Sequence, residues 1–267
     1  MNVVIVSFAT FGPPYRDYSK RVAVLQDFCI QSGIVLEIYD VQRIIKSPHY
    51  NFNNSYFQLK RGAGYWHWKP VVLLDAHDLH PDALIIYLDI DFDLIAVPLA
   101  QLETMARKNY SLSLFRTNLY LRDCSSKVFW STLQITREVK MSIASVVIAN
   151  FSIEQTTNIL KKWLELNDMP RLLLDPIFVL NTKHRHDQSI LSYIVDKEKE
   201  HILFLEDGYW AESKEAYNMK KENAWVRMHQ ESNNIEMSKM KQFYDYIKFL
   251  LWTLKNRVMI FWFYYEM

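Results

Sequence analysis

Apolar and polar positions change period several times along the chain, and each change marks an element. Val3 to Phe8 is an apolar run rich in β-branched residues, the pattern of a strand buried on both faces. The turn-rich loop ATFGPPYRDYS follows, then an amphipathic stretch from Lys20 to Gln31 that predicts a helix capped at Gly33. IVLEIYD then reads as a second strand. Strand, helix and strand in this order imply a right-handed crossover and a mostly parallel sheet. Residues 41–61 show no clear period and read as loop with some helix. Lys69 to Leu79 predicts a helix, which HPD breaks. SIASVVIAN (142–150) predicts another buried strand, and a Ser152–Gln155 capping box opens a helix to about Leu166. Asp187 to Lys199 predicts a further helix and HILFLE a late strand. No repeat, low-complexity tract or linker interrupts the pattern. The fold class is therefore α/β, one Rossmann-like domain over 1–235 with a mostly parallel central sheet.

From Met237 the apolar residues recur at 240, 244, 247, 251, 254, 258 and 261, a seam of alternating threes and fours. Residues 236–267 thus read as a C-terminal amphipathic helical tail ending in the aromatic run MIFWFYYEM. Lys239, Lys241, Lys248, Lys255 and Arg257 lie off the seam. Such a helix can pack on its own domain, pair with a second subunit as a homodimer, or lie in a membrane interface, where aromatic residues and flanking cations are favoured.

One stretch breaks the logic of a buried strand. In IIYLDIDFDLI (85–95), Asp89, Asp91 and Asp93 alternate with Leu88, Ile90, Phe92 and Leu94. A strand would place all three carboxylates on one face, where they repel and are costly to bury. Open parallel sheets gather ligands at strand carboxyl ends. An Asp-x-Asp pair there offers hard oxygen ligands to Mg²⁺ or Mn²⁺, typically completed by substrate phosphates. The plainer alternative is a solvated acidic strand end.

Composition narrows the classes. Half the residues are apolar, ample for a core. With 31 basic and 30 acidic residues the net charge is +1, so no bulk attraction to nucleic acid exists and none is expected as a partner. Cys29 and Cys124 have no metal or redox spacing, which suits a reducing cytoplasm. The N-terminal MNVVIVSFAT lacks a basic leader region and reads as the first strand.

Three further clusters carry candidate chemistry. RGAGYWHWKP (61–70) holds two of the five glycines of the chain. Gly62 and Gly64 permit positive φ or close approach, Tyr65 and Trp66 supply flat faces, and Arg61 and Lys69 supply cations. Pro70 suits a first helical turn, which puts Lys69 at an anion-favouring helix edge. In KHRHDQSILS (183–192), His184 and His186 alternate, while Asp187 and Gln188 open a helix that Asp187 could simply cap. WVRMHQ (225–230) contains His229, of a type more often structural than ligating.

Taken together, GAGYWHWKPVVLLDA, IIYLDIDFD and RHDQSILS resemble a group of bacterial sugar transferases with the GT-A fold, from capsule and lipopolysaccharide gene clusters. The resemblance runs in order and spacing over most of residues 3–230 and excludes the tail. Relatives often show YLDxG where this chain has YLDID. The resemblance implies a nucleotide-sugar donor, a UDP-sugar first, and a glycan or lipid-linked glycan acceptor. It implies a bacterial cytoplasmic protein, with the tail reaching the inner membrane surface if it binds lipid. It also implies Mn²⁺ or Mg²⁺ on Asp89 and Asp91, with His229 completing the shell. Ala9, Thr10, Tyr15 and Tyr18 would contact base and ribose, and Lys69, with Arg61, Tyr65 and Trp66, the rest of the donor. Asp187 and Gln188 would face the reacting sugar. A non-catalytic carbohydrate-binding protein and a phosphatase or nucleotidyl transferase are the rival readings.

Overall fold

The computed structural model describes residues 2–52, 54–59, 62–174, 184–205, 210–211 and 226–228. At its centre β1 (Asn2–Phe8) lies between β2 (Val35–Tyr39) and β3 (Ala83–Leu88), parallel to both. β6 (Lys140–Asn150) pairs antiparallel with β3 and with β5 (Leu112–Tyr120), and β7 (Ile202–Leu205) runs parallel to β5. The strand order is β2-β1-β3-β6-β5-β7, and β6 runs against the other five. The sheet is α/β and mostly parallel, as expected, with one reversed strand that sequence reading alone did not identify.

Both faces of the sheet are covered, which explains the unbroken apolar runs. Along β3, Ile85 and Tyr87 pack with Val72, Trp163 and Leu191 on one face, and Leu84, Ile86 and Leu88 with Leu25, Leu102 and Met105 on the other. The helix Ser19–Ser32 ends at Gly33, whose φ of 64° is left-handed, and Ile34 N–H closes back on Cys29 O at 2.9 Å. The Lys69–Leu79 helix has the expected bounds with Pro70 in its first turn. Residues 41–61 contain the short helix Val41–Lys46 and a 3₁₀ turn at Asn54–Gln58.

Two expectations are corrected. The helix Glu154–Asn167 has no side-chain cap at its start. Ser152 Oγ donates to Asn150 Oδ1 instead, a local loop contact, and Gln155 Nε2 donates to Glu198 Oε2 at 2.7 Å, a tertiary one. The strand through the aspartates is broken as well. β3 stops at Leu88, a turn closed by Phe92 N–H to Asp89 O (2.9 Å) follows, and β4 (Phe92–Leu94) begins a second small sheet. That sheet has the order β4-β9-β8, with β8 at Trp210–Ala211 and β9 at Val226–Met228. Leu88, Ile90, Phe92 and Leu94 nonetheless all bury in one core layer. Among the described residues no helix is long and apolar enough to cross a membrane. The tail from 236 lies outside the described residues.

Candidate active site

The segment GAGYW folds in an unusual way. Gly62, Ala63, Gly64, Tyr65 and Trp66 all have positive φ (54°, 45°, 91°, 60° and 61°), and Trp66 N–H donates to Gly62 O at 3.1 Å. This is one left-handed helical turn, and left-handed backbone costs roughly 1–2 kcal/mol for each non-glycine residue. Hydrogen bonds offset the strain. Gly64 N–H reaches Leu59 O (2.8 Å), Trp68 Nε1–H reaches Gly62 O (3.2 Å), and His67 Nδ1–H reaches Gly64 O (2.8 Å). His67 is fully buried, its ring stacked on Tyr56 at 4.9 Å and edged by Phe52 and Phe57. Burial pulls its pKa down to about 3, so the neutral ring is the structural one. Backbone strain of this kind, so firmly braced, concentrates at functional sites.

The turn delivers Lys69 to the carboxyl end of β3. Its Nζ lies 3.2 Å from Asp89 Oδ2, 3.3 Å from Asp187 Oδ2 and 3.1 Å from Ala144 O, and its side chain is 3% exposed. Asp89 directly follows the end of β3, two residues after Tyr87, and the Tyr87 hydroxyl donates to Asp89 Oδ1. Asp187 is equally buried and is not the cap of its helix, because Arg185 occupies that position without a side-chain bond. Its Oδ2 pairs with Lys69 by charge but has no aligned hydrogen-bond donor. Burial raises the Asp187 pKa to about 7, outweighing Lys69, and the Asp89 carboxylate pushes the same way.

These ion pairs answer the question raised by the three aspartates. Asp89 pairs with Lys69, Asp91 with Arg16 at 3.8 Å, and Asp93 with Arg21 at 2.7 Å. Three cations of the chain offset the repulsion.

A cleft of about 780 Å³ opens over this cluster. Thr10, Tyr15, Arg16 and Tyr18 line one wall, with Asp89 and Asp91 beside them, and Trp66, Lys69, Asp187 and Gln188 line it as well. The Tyr18 hydroxyl donates to Asp91 Oδ2 at 3.2 Å, and burial beside that carboxylate raises its own pKa to about 12. The Tyr15 hydroxyl donates to Phe57 O, stapling the loop after β1 to the segment before the left-handed turn. Two expected donor contacts are elsewhere. Ala9 is fully buried, its N–H bonded to Tyr39 O, and Tyr65 is buried edge-on to His186. Arg61 and His229 lie outside the described residues, although Met228 pairs with Phe92, next to Asp91. His184 Nε2–H and His186 Nδ1–H donate to Leu172 O and Leu173 O, so the alternating histidines anchor the Asp187 helix. Arg16 and Tyr87 were missed from the sequence, although Tyr87 stands two residues before Asp89 and Arg16 between the two loop tyrosines.

Asp89 and Asp91 suit a divalent cation in chemical type, since such an ion is commonly held by one or two carboxylates plus substrate phosphates. Among the described residues no group of three or more metal-ligating side chains occurs.

Asp187 gives a pH signature. Between about pH 4 and 7 the folded chain binds one proton more there than the unfolded chain, in which Asp187 ionises freely, so stability falls as pH rises. Asp187→Asn removes this slope. Its stability relative to the parent protein should rise with pH by about 1.4 kcal/mol per unit across that window. Urea unfolding at a series of pH values measures it, and parallel profiles would refute the buried protonated carboxyl.

No family model and no curated protein sequence matches the chain. Solved structures do match it. One is a glycosyltransferase involved in the glycosylation of the major capsid of PBCV-1, with TM-score 0.50, 11% identity, and coverage of 85% of this chain and 93% of that one. Another is the apo WbbM bifunctional glycosyltransferase, with TM-score 0.51 and 11% identity over 96% of this chain and 49% of that one. This chain thus spans about half of WbbM. A third is the galactosyltransferase LgtC in complex with donor and acceptor sugar analogs, with TM-score 0.47, 11% identity, and coverage of 92% and 94%. The chain has an α/β fold with a mostly parallel central sheet that resembles GT-A glycosyltransferase structures.

Proposed function

We propose that this protein is a metal-dependent glycosyltransferase that moves a sugar from a nucleotide-sugar donor to a growing surface polysaccharide or lipopolysaccharide. The observation that carries the reading is the buried Lys69, held between Asp89 and Asp187 at the carboxyl end of β3 where the cleft opens. The likeness of the fold supports the class of enzyme, and the sequence resemblance supports the donor and acceptor types.

In such a transfer the bond from sugar C1 to the diphosphate oxygen breaks, and its electron pair stays on the diphosphate. The acceptor oxygen bonds to C1 and gives up its proton to the departing diphosphate or to solvent. Negative charge therefore develops on the diphosphate, and a cation already fixed there lowers the barrier without reorganising. Lys69 has that quality because three oxygens hold it. Asp187 and Gln188, adjoining Lys69 at a helix start, are assigned to the sugar, and Thr10 and Tyr18 to the nucleotide. Asp89 and Asp91 would hold a divalent cation, which when bound neutralises diphosphate charge.

The test is incubation with a panel of nucleotide sugars and Mn²⁺, following release of nucleoside diphosphate. Release of the diphosphate, with no phosphate or pyrophosphate, is expected. Asp89→Asn should lose Mn²⁺-dependent diphosphate binding by roughly tenfold or more, the equivalent of one charge-assisted contact. If no donor is cleaved and no nucleotide raises the melting temperature, the transferase reading fails.

A further inference from the structure

Arg16 has no place in the donor set read from the sequence, yet it lines the cleft beside Asp91. Its root is fixed. The Arg16 carbonyl accepts from Thr10 Oγ1 at 2.5 Å, and Tyr18 N–H donates to Thr10 O at 2.9 Å. Its guanidinium lies 5.1 Å from the centre of the Tyr18 ring, while the Tyr18 hydroxyl holds the other oxygen of Asp91.

Among the described residues, the ion pairs of Asp89, Asp91 and Asp93 differ in kind. Lys69 is buried among three oxygens, and Arg21 grips Asp93 at 2.7 Å while its Nε donates to Ile90 O at 3.1 Å. Both are fixed parts of the fold. The Arg16–Asp91 pair is long, at 3.8 Å, and both side chains are 49% exposed. Solvent screens such a pair, so it contributes little and exchanges easily. Arg185, an exposed cation that also lines the cleft, has its N–H bonded to Cys124 O at 2.8 Å.

Asp91 is thus both the anion of Arg16 and half of the Asp-x-Asp pair. We propose that Arg16 and Asp91 are an exchange pair: Arg16 neutralises Asp91 in the free protein and moves to the donor diphosphate when Asp91 turns to a divalent cation. The inference rests on the nucleotide-sugar reading above. Guanidinium suits the second role because its planar fork binds phosphate oxygens in pairs and stays charged. Because each ligand removes a competitor of the other, the two bindings are coupled, and the coupling is reciprocal.

Removing Arg16 then has effects of opposite sign. With Arg16→Gln, Mn²⁺ alone should bind more tightly, by about twofold to fivefold, since Asp91 has lost its competing cation. UDP in saturating Mn²⁺ should bind about tenfold or more weakly, since the diphosphate has lost its fork. Arg16→Lys, which keeps the charge and loses the fork, should restore the Mn²⁺ affinity of the parent protein and only part of its UDP affinity. Titration calorimetry on the full chain, with MnCl₂ alone, UDP alone and UDP in saturating Mn²⁺, reads all of this. Weaker or unchanged Mn²⁺ binding by Arg16→Gln overturns the exchange. So does unchanged UDP binding where the parent protein binds UDP. A parent protein that binds no UDP in any arm sinks the nucleotide-sugar reading and, with it, the diphosphate half of the exchange. The Mn²⁺ arm still decides the other half.

Discussion

Lys69→Met should abolish donor turnover and destabilise the protein by about 3–5 kcal/mol, the usual cost of stranding a buried charge. Methionine fills much the same space, so the loss is electrostatic. Asp89 and Asp187 would then face each other without the ammonium between them. The second variant separates the causes. In Lys69→Met/Asp187→Asn one of the stranded carboxyls is replaced by a neutral amide, so a good part of the stability should return while turnover stays absent. Urea unfolding gives the stability of each protein, and release of nucleoside diphosphate gives the turnover. A double variant no more stable than the single one would mean that Lys69 acts by packing alone. Recovered turnover would remove Lys69 from the chemistry.

Gly64→Ala should be nearly as damaging, at about 2–4 kcal/mol from left-handed strain plus overpacking. Gly64 has φ 91°, and a Cβ there would lie 2.8 Å from the Tyr56 carbonyl oxygen and 2.8 Å from the His67 ring. Neither neighbour can give way easily. Tyr56 O accepts from Leu59 N–H at 3.0 Å, and His67 is fully buried within its aromatic surround. Gly12→Ala is the control, because φ is 101° there but nothing lies within 4 Å of the added carbon. It should cost only the backbone part, about 1–2 kcal/mol. Equal costs in the two variants would show that crowding at the left-handed turn is unimportant. Gly64→Ala should also slow any donor turnover, because the same turn sets the position of Trp66 and Lys69.

Several elements were legible because their signals are local. The β-branched run of β1, the apolar strand SIASVVIAN, the Gly33 cap and the helix after Trp68 each follow from residues within a turn or two of one another. The alternation in LDIDFDL correctly placed its apolar side chains in one core layer, even though the strand itself breaks at Asp89. The helix Leu99–Lys108 and the strand Leu112–Tyr120 drew no reading from the sequence, nor did the reversal of β6. Strand direction depends on how remote elements connect, and no local period encodes it.

By itself the sequence determined which faces are buried, that glycines gather before Lys69, and that three carboxylates crowd one strand end. Only the tertiary structure decided what those features mean for one another. Lys69 and Asp187 stand 118 positions apart, and only the packing of the Lys69 helix on β3 and of the Asp187 helix on the neighbouring β6 makes them an ion pair. Asp187 has the sequence context of an ordinary cap, and burial is what keeps its proton up to about pH 7, against the pull of that lysine. The left-handed turn likewise depends on the His67 surround, since two glycines permit positive φ but cannot hold Ala63, Tyr65 and Trp66 there. Hydrophobic patterning reports burial through local periodicity, whereas charge compensation and strain depend on partners that only the fold brings within a few ångströms.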